Sequence, residues 1–210
     1  MRSVRATHRA QLALFACALF SGVALLSHIA TGISLPVALA TLAAIVVASS
    51  LFVWRRTPPQ QRVILQSLVT TGARAGVVAT IAYDSSKFVL SKLDPTPYNP
   101  FEMMRIFGAL LTGSTSRAIV LPAGIAYHLL NGTGFGVAFC ILFGNRGVVA
   151  GIAWGLGLEF FQVALYPGWL GINMYREFVQ FSGLGHVVYG IVLGFMCRRS
   201  LVPRRLMVGR

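Results

Sequence analysis

The sequence predicts an all-α polytopic membrane protein with six transmembrane helices, a tandem duplicated helical hairpin and one or two interfacial amphipathic helices. Two observations favour this fold class. Only 11% of the 210 residues are charged and 56% are hydrophobic, whereas soluble domains carry about 25% charged residues. Apolar runs of about 20 residues, the length that spans the hydrocarbon core, recur along the whole chain. Helices are expected because a backbone in lipid must satisfy its own hydrogen bonds.

The six predicted spans cover almost the whole chain. They lie at 11–31, 34–54, 67–91, 118–143, 148–166 and 180–197. The first span follows three arginines and has some resemblance to a signal peptide. Its apolar run is long for that purpose and no small-residue cleavage pattern is convincing, so we expect a retained span.

The basic residues predict the orientation of the spans. They concentrate in the connections after the even-numbered spans, at Arg55, Arg56, Arg62 and Arg146, and in the tail "RRSLVPRR". The positive-inside rule therefore places both termini in the cytoplasm. The net charge is +13, but the arginines cluster at the ends of apolar segments rather than along one surface. This distribution argues against a nucleic-acid partner and favours the lipid bilayer.

Two connections carry amphipathic patterns. In residues 95–116, apolar side chains recur at helical spacing from Phe101 to Leu111, with Glu102 and Arg105 on another face. This pattern is typical of a helix at the outer interface or of a shallow re-entrant turn, and the sequence leaves both open. The segment "GWLGINMYREFVQF" predicts a second element of this kind.

Two pairs of matching segments indicate an internal duplication. "GVVATIAY" at 76–83 and "GVVAGIAW" at 147–154 are identical at six of eight positions. Each leads through a proline-containing connection into a His-x-x-x-Gly-x-x-x-Gly helix, once from His128 and once from His186. We therefore predict an N-terminal hairpin (1–62), a first repeat hairpin (63–146), and a second repeat hairpin with a basic tail (147–210).

The repeated glycines predict close helix packing. Glycines four residues apart form a groove that lets another backbone approach. These helix-packing residues are Gly132, Gly136, Gly190 and Gly194. We expect the two histidine helices to pack on each other through these grooves, which would bring His128 and His186 towards the centre of the bundle.

Ionisable side chains within the spans are the candidate site. Burying a charge at the bilayer centre costs about 2.5–3.5 kcal/mol, so such groups usually face the interior and pair. The candidate ligand- or proton-binding residues are Asp84, His128, Asn131, Glu159, Gln162 and His186. Asp84 and Lys87 are three residues apart, which permits a local ion pair. Glu159 has no basic partner in its own helix, so it must be protonated, paired with a histidine, or hydrated.

Three functions remain open from these residues. The candidate residues could line a polar cavity, open to the outer face, that handles a small solute, an ion or a proton. The glycine grooves could instead hold partner helices, from another membrane protein or a second copy, in a non-catalytic assembly subunit. In the third, His128 and His186 would be metal ligands to a transition metal or haem. No cofactor is expected, because no HExxH or CxxCH spacing is present, and no catalytic residue stands out.

Several motifs together carry a family resemblance. They are "GARAGVVATIAY", "AYHLLNGTGFGVAF", and "YPGWLG" with "YREF" leading into "GLGHVVYG". With these motifs, residues 67–197 resemble the YagU-like family of small bacterial inner-membrane proteins. The resemblance implies a bacterial inner-membrane location and a four-span core. It implies no catalytic residues.

Overall fold

The computed structural model describes residues 2–94 and 96–208, with side chains described for 8–94 and 96–201. Helices make up 87% of the structure and no strand occurs in the described residues, so the all-α prediction is confirmed. The helices are α1 (Arg2–Ala18), α2 (Phe20–Thr31), α3 (Leu35–Arg56), α4 (Pro59–Leu93), α5 (Glu102–Thr112), α6 (Arg117–Phe143), α7 (Val148–Leu170) and α8 (Tyr175–Val208).

The membrane-spanning prediction is also confirmed at the level of the fold. Among the described residues, α3, α4, α6, α7 and the first 27 residues of α8 are long and apolar enough to cross a bilayer. His8–Ala18 and Phe20–Thr31 are bent by 52° relative to each other and give a sixth span if the bent pair crosses the bilayer as one. The protein is therefore a multipass membrane protein of five to six spans.

Local sequence explains where the helices begin and end. α4 begins at Pro59, since proline lacks the amide hydrogen that the first helical turn leaves unpaired. α7 contains Pro167 and ends at Leu170, where the capping residue Gly171 has a φ of 61°, the left-handed conformation that glycine adopts most readily. The second predicted interfacial element is wrong, because residues 168–170 complete α7 and α8 starts at Tyr175. The first turns of α8, which carry Arg176 and Glu177, continue directly into the span.

The glycine grooves pack within each hairpin. In the first hairpin, a Cβ on Gly136 would lie 2.5 Å from Gly76 Cα, and one on Gly72 would lie 2.6 Å from Val137 Cα. The backbones of α4 and α6 are therefore in direct contact, at a distance that only glycine permits.

The second hairpin repeats this contact between α7 and α8. A Cβ on Gly194 would lie 2.5 Å from the carbonyl oxygen of Gly147, and one on Gly190 would collide with the carbonyl of Gly151. The expectation that the two histidine helices pack on each other is therefore wrong. Each packs through its glycines on the first helix of its own hairpin, as neighbouring helices joined by a connection often do.

The two hairpins meet through α4 and α8, which form an extensive interface. Its buried core includes Ala75, Ala79, Tyr189, Leu193 and Cys197. α3 lies at the periphery with most of its apolar side chains exposed, which is expected of a helix that faces lipid. The central position of α4 and α8 places their polar side chains inside the bundle.

The amphipathic helix α5 packs along the N-terminal part of α6. A Cβ on Gly108 would collide with Val120 O, and one on Gly124 would collide with Met104 O, so the two helices run antiparallel in close contact. On the exposed face of α5, Arg105 pairs with Glu102 at 2.5 Å, and this carboxylate raises the pKa of the Arg105 guanidinium. Lying alongside a spanning helix favours the re-entrant arrangement over a flat interfacial helix.

Tyr189 joins the two hairpins by a hydrogen bond that can be tested. Its buried hydroxyl donates to the carbonyl oxygen of Gly132 at 2.7 Å. Tyr189→Phe is expected to lower the free energy of unfolding by about 1 kcal/mol, the usual net contribution of such a bond. Unfolding in mixed detergent, with the exposed Tyr175→Phe as control, measures this. Equal stability of the two variants would contradict a role for the hydroxyl.

Candidate functional site

The first part of the site is a histidine–carboxylate pair between α4 and α6. His128 Nε2 lies 3.1 Å from Asp84 Oδ1. One turn away from this pair, Thr80 of α4 meets Gly132 of α6 at the backbone contact. The two helices are antiparallel, so the residue four after Thr80 meets the residue four before Gly132. The four-residue spacing between His128 and Gly132 therefore places His128 opposite Asp84.

The second part is an equivalent pair between α7 and α8. Gly155 lies against the carbonyl of His186, and Glu159 follows one turn later on α7. Its longer side chain reaches back, so that Oε2 lies 2.7 Å from His186 Nδ1. Of the alternatives for Glu159, the structure shows the pairing with a histidine. Ser182 Oγ also donates to Glu159 Oε1 at 2.6 Å.

The hydrogen bonds around His186 fix its tautomer. Nδ1 lies 2.9 Å from the carbonyl oxygen of Ser182 as well as 2.7 Å from Glu159 Oε2, and hydrogen-bond geometry favours the carbonyl. A backbone carbonyl only accepts, so Nδ1 is the donor in this contact. Nε2 is the second ring nitrogen, and no hydrogen bond joins it to the described residues.

Tyr83 and Lys87 of α4 connect the two pairs. The Tyr83 ring packs against both imidazoles, with centroid distances of 5.7 Å to His128 and 5.0 Å to His186. Lys87 Nζ lies 4.8 Å from the centre of the Tyr83 ring and 5.5 Å from that of Phe101. These are cation–π distances. Two pairs and a lysine therefore converge on one tyrosine.

A polar cavity of about 90 Å³ lies among these side chains. We define it by six of its lining residues: Tyr83, Lys87, His128, Asn131, Gln162 and His186. A water molecule needs about 10–15 Å³ of such volume. The polar cavity therefore has room for several waters or a small charged group.

An apolar cavity of about 450 Å³ lies beside the polar cavity. We define it by Leu19, Val23, Leu26, Trp154, Phe161 and Leu165, which belong to the α1–α2 segment and to α7. Asn131, Gln162 and His186 line both cavities, together with Phe135, Leu158 and Tyr166. The two cavities thus share one wall.

The structure distributes the predicted residues unevenly around the polar cavity. His128, His186, Asn131 and Gln162 all line it. Asp84 and Glu159 are not among its lining residues and instead contact the histidines. We interpret the two carboxylates as positioning groups, which hold and polarise the imidazoles that face the cavity.

Four residues of this cluster were missing from the predicted set. The spacing of Lys87 from Asp84 permitted a local ion pair, but no such pair forms among the described residues, and Asp84 pairs with His128 instead. Thr80, Tyr83 and Lys87 recur at helical spacing along α4, a signal that could have indicated a common face. Ser182 could not have been identified from its spacing, because serine is common at helix-packing interfaces in membrane proteins.

Tyr98, in the connection between α4 and α5, also lines the polar cavity. Burial, assisted by the negative charge of Glu159, raises the pKa of the Tyr98 hydroxyl to about 12. The hydroxyl therefore stays protonated at neutral pH and is available as a hydrogen-bond donor to a group in the cavity.

The residues do not fit the haem or metal hypothesis well. Within the described part of the chain, no group of three or more His, Cys, Asp or Glu side chains is placed to hold a metal ion. His128 Nε2 faces Asp84, and the Tyr83 ring packs against both histidines that would have to bracket a macrocycle.

Comparison with protein-family models, curated proteins and solved structures finds no match for this chain.

Proposed function

We propose that this multipass protein of a bacterial inner membrane, with both termini in the cytoplasm, handles protons together with a small solute at the polar cavity. One observation carries the proposal: two histidine–carboxylate pairs from two hairpins converge on Tyr83 beside the cavity that Lys87 lines. Histidine is the side chain whose charge changes most readily near neutral pH. Ionisable groups within a membrane typically mark proton or solute pathways.

The contact register supports the proposed duplication behind this site. Gly76 meets Gly136 in the first hairpin, and Gly147 meets Gly194 in the second. These are the same positions when "GVVATIAY" is aligned with "GVVAGIAW" and the two His-x-x-x-Gly-x-x-x-Gly motifs are aligned with each other. Thr80–Gly132 and Gly151–Gly190 correspond in the same way. Two copies of one hairpin, each supplying a histidine, account for the paired architecture.

The packing of the glycines weighs against the assembly alternative. Gly132, Gly136, Gly190 and Gly194 are all covered by other helices of this chain. Their grooves are therefore not open to a partner helix in this fold. A buried lysine and the buried histidine–carboxylate pair of His186 with Glu159 are also costly in a protein whose role is only to pack.

The proposal predicts that proton movement depends on Glu159. In liposomes carrying an internal pH dye and an imposed pH gradient, the wild-type protein is expected to speed proton flux above that of empty liposomes. Glu159→Gln is expected to return it to that background, because the amide cannot stabilise an imidazolium at His186. Glu102→Gln is the matched control, since Glu102 is exposed and pairs with Arg105 outside the site.

The variants are compared at equal amounts of monodisperse, folded protein. Wild-type flux equal to that of empty liposomes would contradict proton handling. Wild-type flux that persists in Glu159→Gln would remove Glu159 from the site, and Asp84→Asn would then test the other pair.

A further inference from the structure

We propose that the polar and apolar cavities form one amphipathic site for an anionic molecule with an unbranched apolar chain. The carboxylate or phosphate head lies beside Lys87, and the chain extends along the apolar cavity. This inference rests on the proposed function, because it names the chemical class of the solute.

Lys87 is the observation that points to an anion. It is only 6% exposed, and no carboxylate among the described residues forms an ion pair with it. Both nearby acids, Asp84 and Glu159, are paired with histidines. Among the described residues, its ammonium group contacts the ring faces of Tyr83 and Phe101. Burying an unpaired cation is costly, and an anionic head group in the cavity it lines would remove that cost.

The shared wall links this head-group position to an apolar volume. Asn131 and His186 line both cavities, so only a single layer of side chains separates the two volumes, and a bound chain would pass between these side chains. Asn131 Oδ1 is buried without a hydrogen-bond partner, which leaves an acceptor at the junction for a protonated head group or a water. The polar cavity is too small for a large solute, whereas the apolar cavity of about 450 Å³ is in the size range of ligand pockets.

The lining of the apolar cavity favours a flexible hydrocarbon chain. Leu19, Val23 and Leu26 face Trp154 and Phe161 across it. α7 packs along α8 and barely touches α6, so the gap between α7 and the α1–α2 segment is left unfilled. A flexible unbranched chain can fill an apolar gap of this volume, and each buried methylene contributes about 0.8 kcal/mol.

Binding can be measured by fluorescence quenching, because Trp154 lines the apolar cavity. The protein is reconstituted in phosphatidylcholine nanodiscs and titrated with dodecanoate that carries bromine at its chain end. Saturable quenching is expected. Bromododecanol, with the same chain and no charge, is expected to bind at least tenfold more weakly. Dodecyl phosphate should displace the acid, whereas acetate and inorganic phosphate should not.

The matched variants test the role of Lys87. Lys87→Met is expected to weaken binding of the bromo-acid at least tenfold, while Lys87→Arg retains it. Lys92→Met, which removes an exposed lysine of the same helix, should bind as the wild type does. The comparison of acid with alcohol on the wild-type protein needs no variant and stands even where Lys87→Met fails to fold.

The outcomes separate the alternatives. Equal affinity for acid and alcohol, unchanged binding by Lys87→Met, or displacement by inorganic phosphate would overturn the proposal. Competition by phosphatidylglycerol in the nanodisc would support it and identify a bilayer lipid as the source of the anion. No competition would support a free amphiphile. The binding experiment does not depend on proton flux. A negative binding result therefore leaves the Glu159 flux prediction untouched, and a negative flux result leaves the binding prediction untouched.

Discussion

Gly136→Ala is expected to destabilise the protein by about 3 kcal/mol or more and to reduce the yield of folded protein sharply. The added methyl group would lie 2.5 Å from Gly76 Cα, 2.7 Å from Gly72 O and 2.9 Å from Gly76 N. All three atoms belong to the backbone of α4, so no side chain can rotate away. Overpacking usually costs about 1–3 kcal/mol, and a contact between two rigid backbones is expected at or above the top of that range.

Gly157→Ala provides the matched control. Gly157 lies in the middle of α7, and a Cβ there meets nothing within 4 Å. This substitution is expected to leave stability unchanged or to raise it by up to about 1 kcal/mol, since alanine is the better helix former. Detergent-titrated unfolding of the purified proteins measures both. Similar midpoints for Gly136→Ala and Gly157→Ala would show that α4 and α6 are not in backbone contact.

The effect of Gly136→Ala on the site follows from the same geometry. The contact of α4 with α6 sets the positions of Asp84 and His128, one turn beyond the meeting of Thr80 with Gly132. Separating the helices by the width of a methyl group would lengthen the His128–Asp84 approach of 3.1 Å. Glycine packing and the candidate site are thus one structural unit.

Local features of this fold could be predicted from the sequence, and helix partners could not. Hydropathy and glycine spacing are properties of a single segment, so the spans and the packing positions from Gly132 to Gly194 can be located without a partner. Which helix fills a groove depends on the whole bundle. The expected pairing of the two histidine helices was wrong because α4 and α7 each lie closer in sequence and carry their own glycines.

For the candidate site too, individual residues could be identified from the sequence, but their partners could not. Glu159 stands out in sequence because its helix offers no basic partner, but its partner His186 comes from the next helix. Lys87 lies three residues from Asp84, and this spacing permits a local ion pair as readily as a functional role. In the folded protein Asp84 is drawn to His128, and Lys87 turns to aromatic faces instead. Short-range spacing allowed both outcomes, and tertiary packing selected one.

His186→Gln is expected to lower the free energy of unfolding by about 3 kcal/mol, because it strands the carboxylate of Glu159 inside the bundle. The side chains of His186 and Glu159 are only 12% and 9% exposed. Breaking a buried pair by removing one partner typically costs about 3–5 kcal/mol. Ser182 still donates to Glu159 Oε1, which places the expected cost at the lower end.

A second substitution in the same protein distinguishes a stranded charge from lost packing. Adding Glu159→Gln to His186→Gln removes the unpaired carboxylate and is expected to restore about 2 kcal/mol, so that the double variant is more stable than His186→Gln alone. If packing were the cause, the second substitution would lower stability further. Interaction energies of this size are common between residues in contact.

The His128–Asp84 pair provides a comparison for the double-mutant cycle of His186 and Glu159. His128 and Asp84 are 23% and 25% exposed and 3.1 Å apart, so water screens their interaction more effectively. The corresponding cycle, with His128→Gln and Asp84→Asn, is expected to show a coupling of about 1 kcal/mol or less. Equal coupling in the two cycles would contradict the difference in burial. The His186–Glu159 pair would then contribute no more to stability than the His128–Asp84 pair does. There would be no reason to test Glu159 before Asp84.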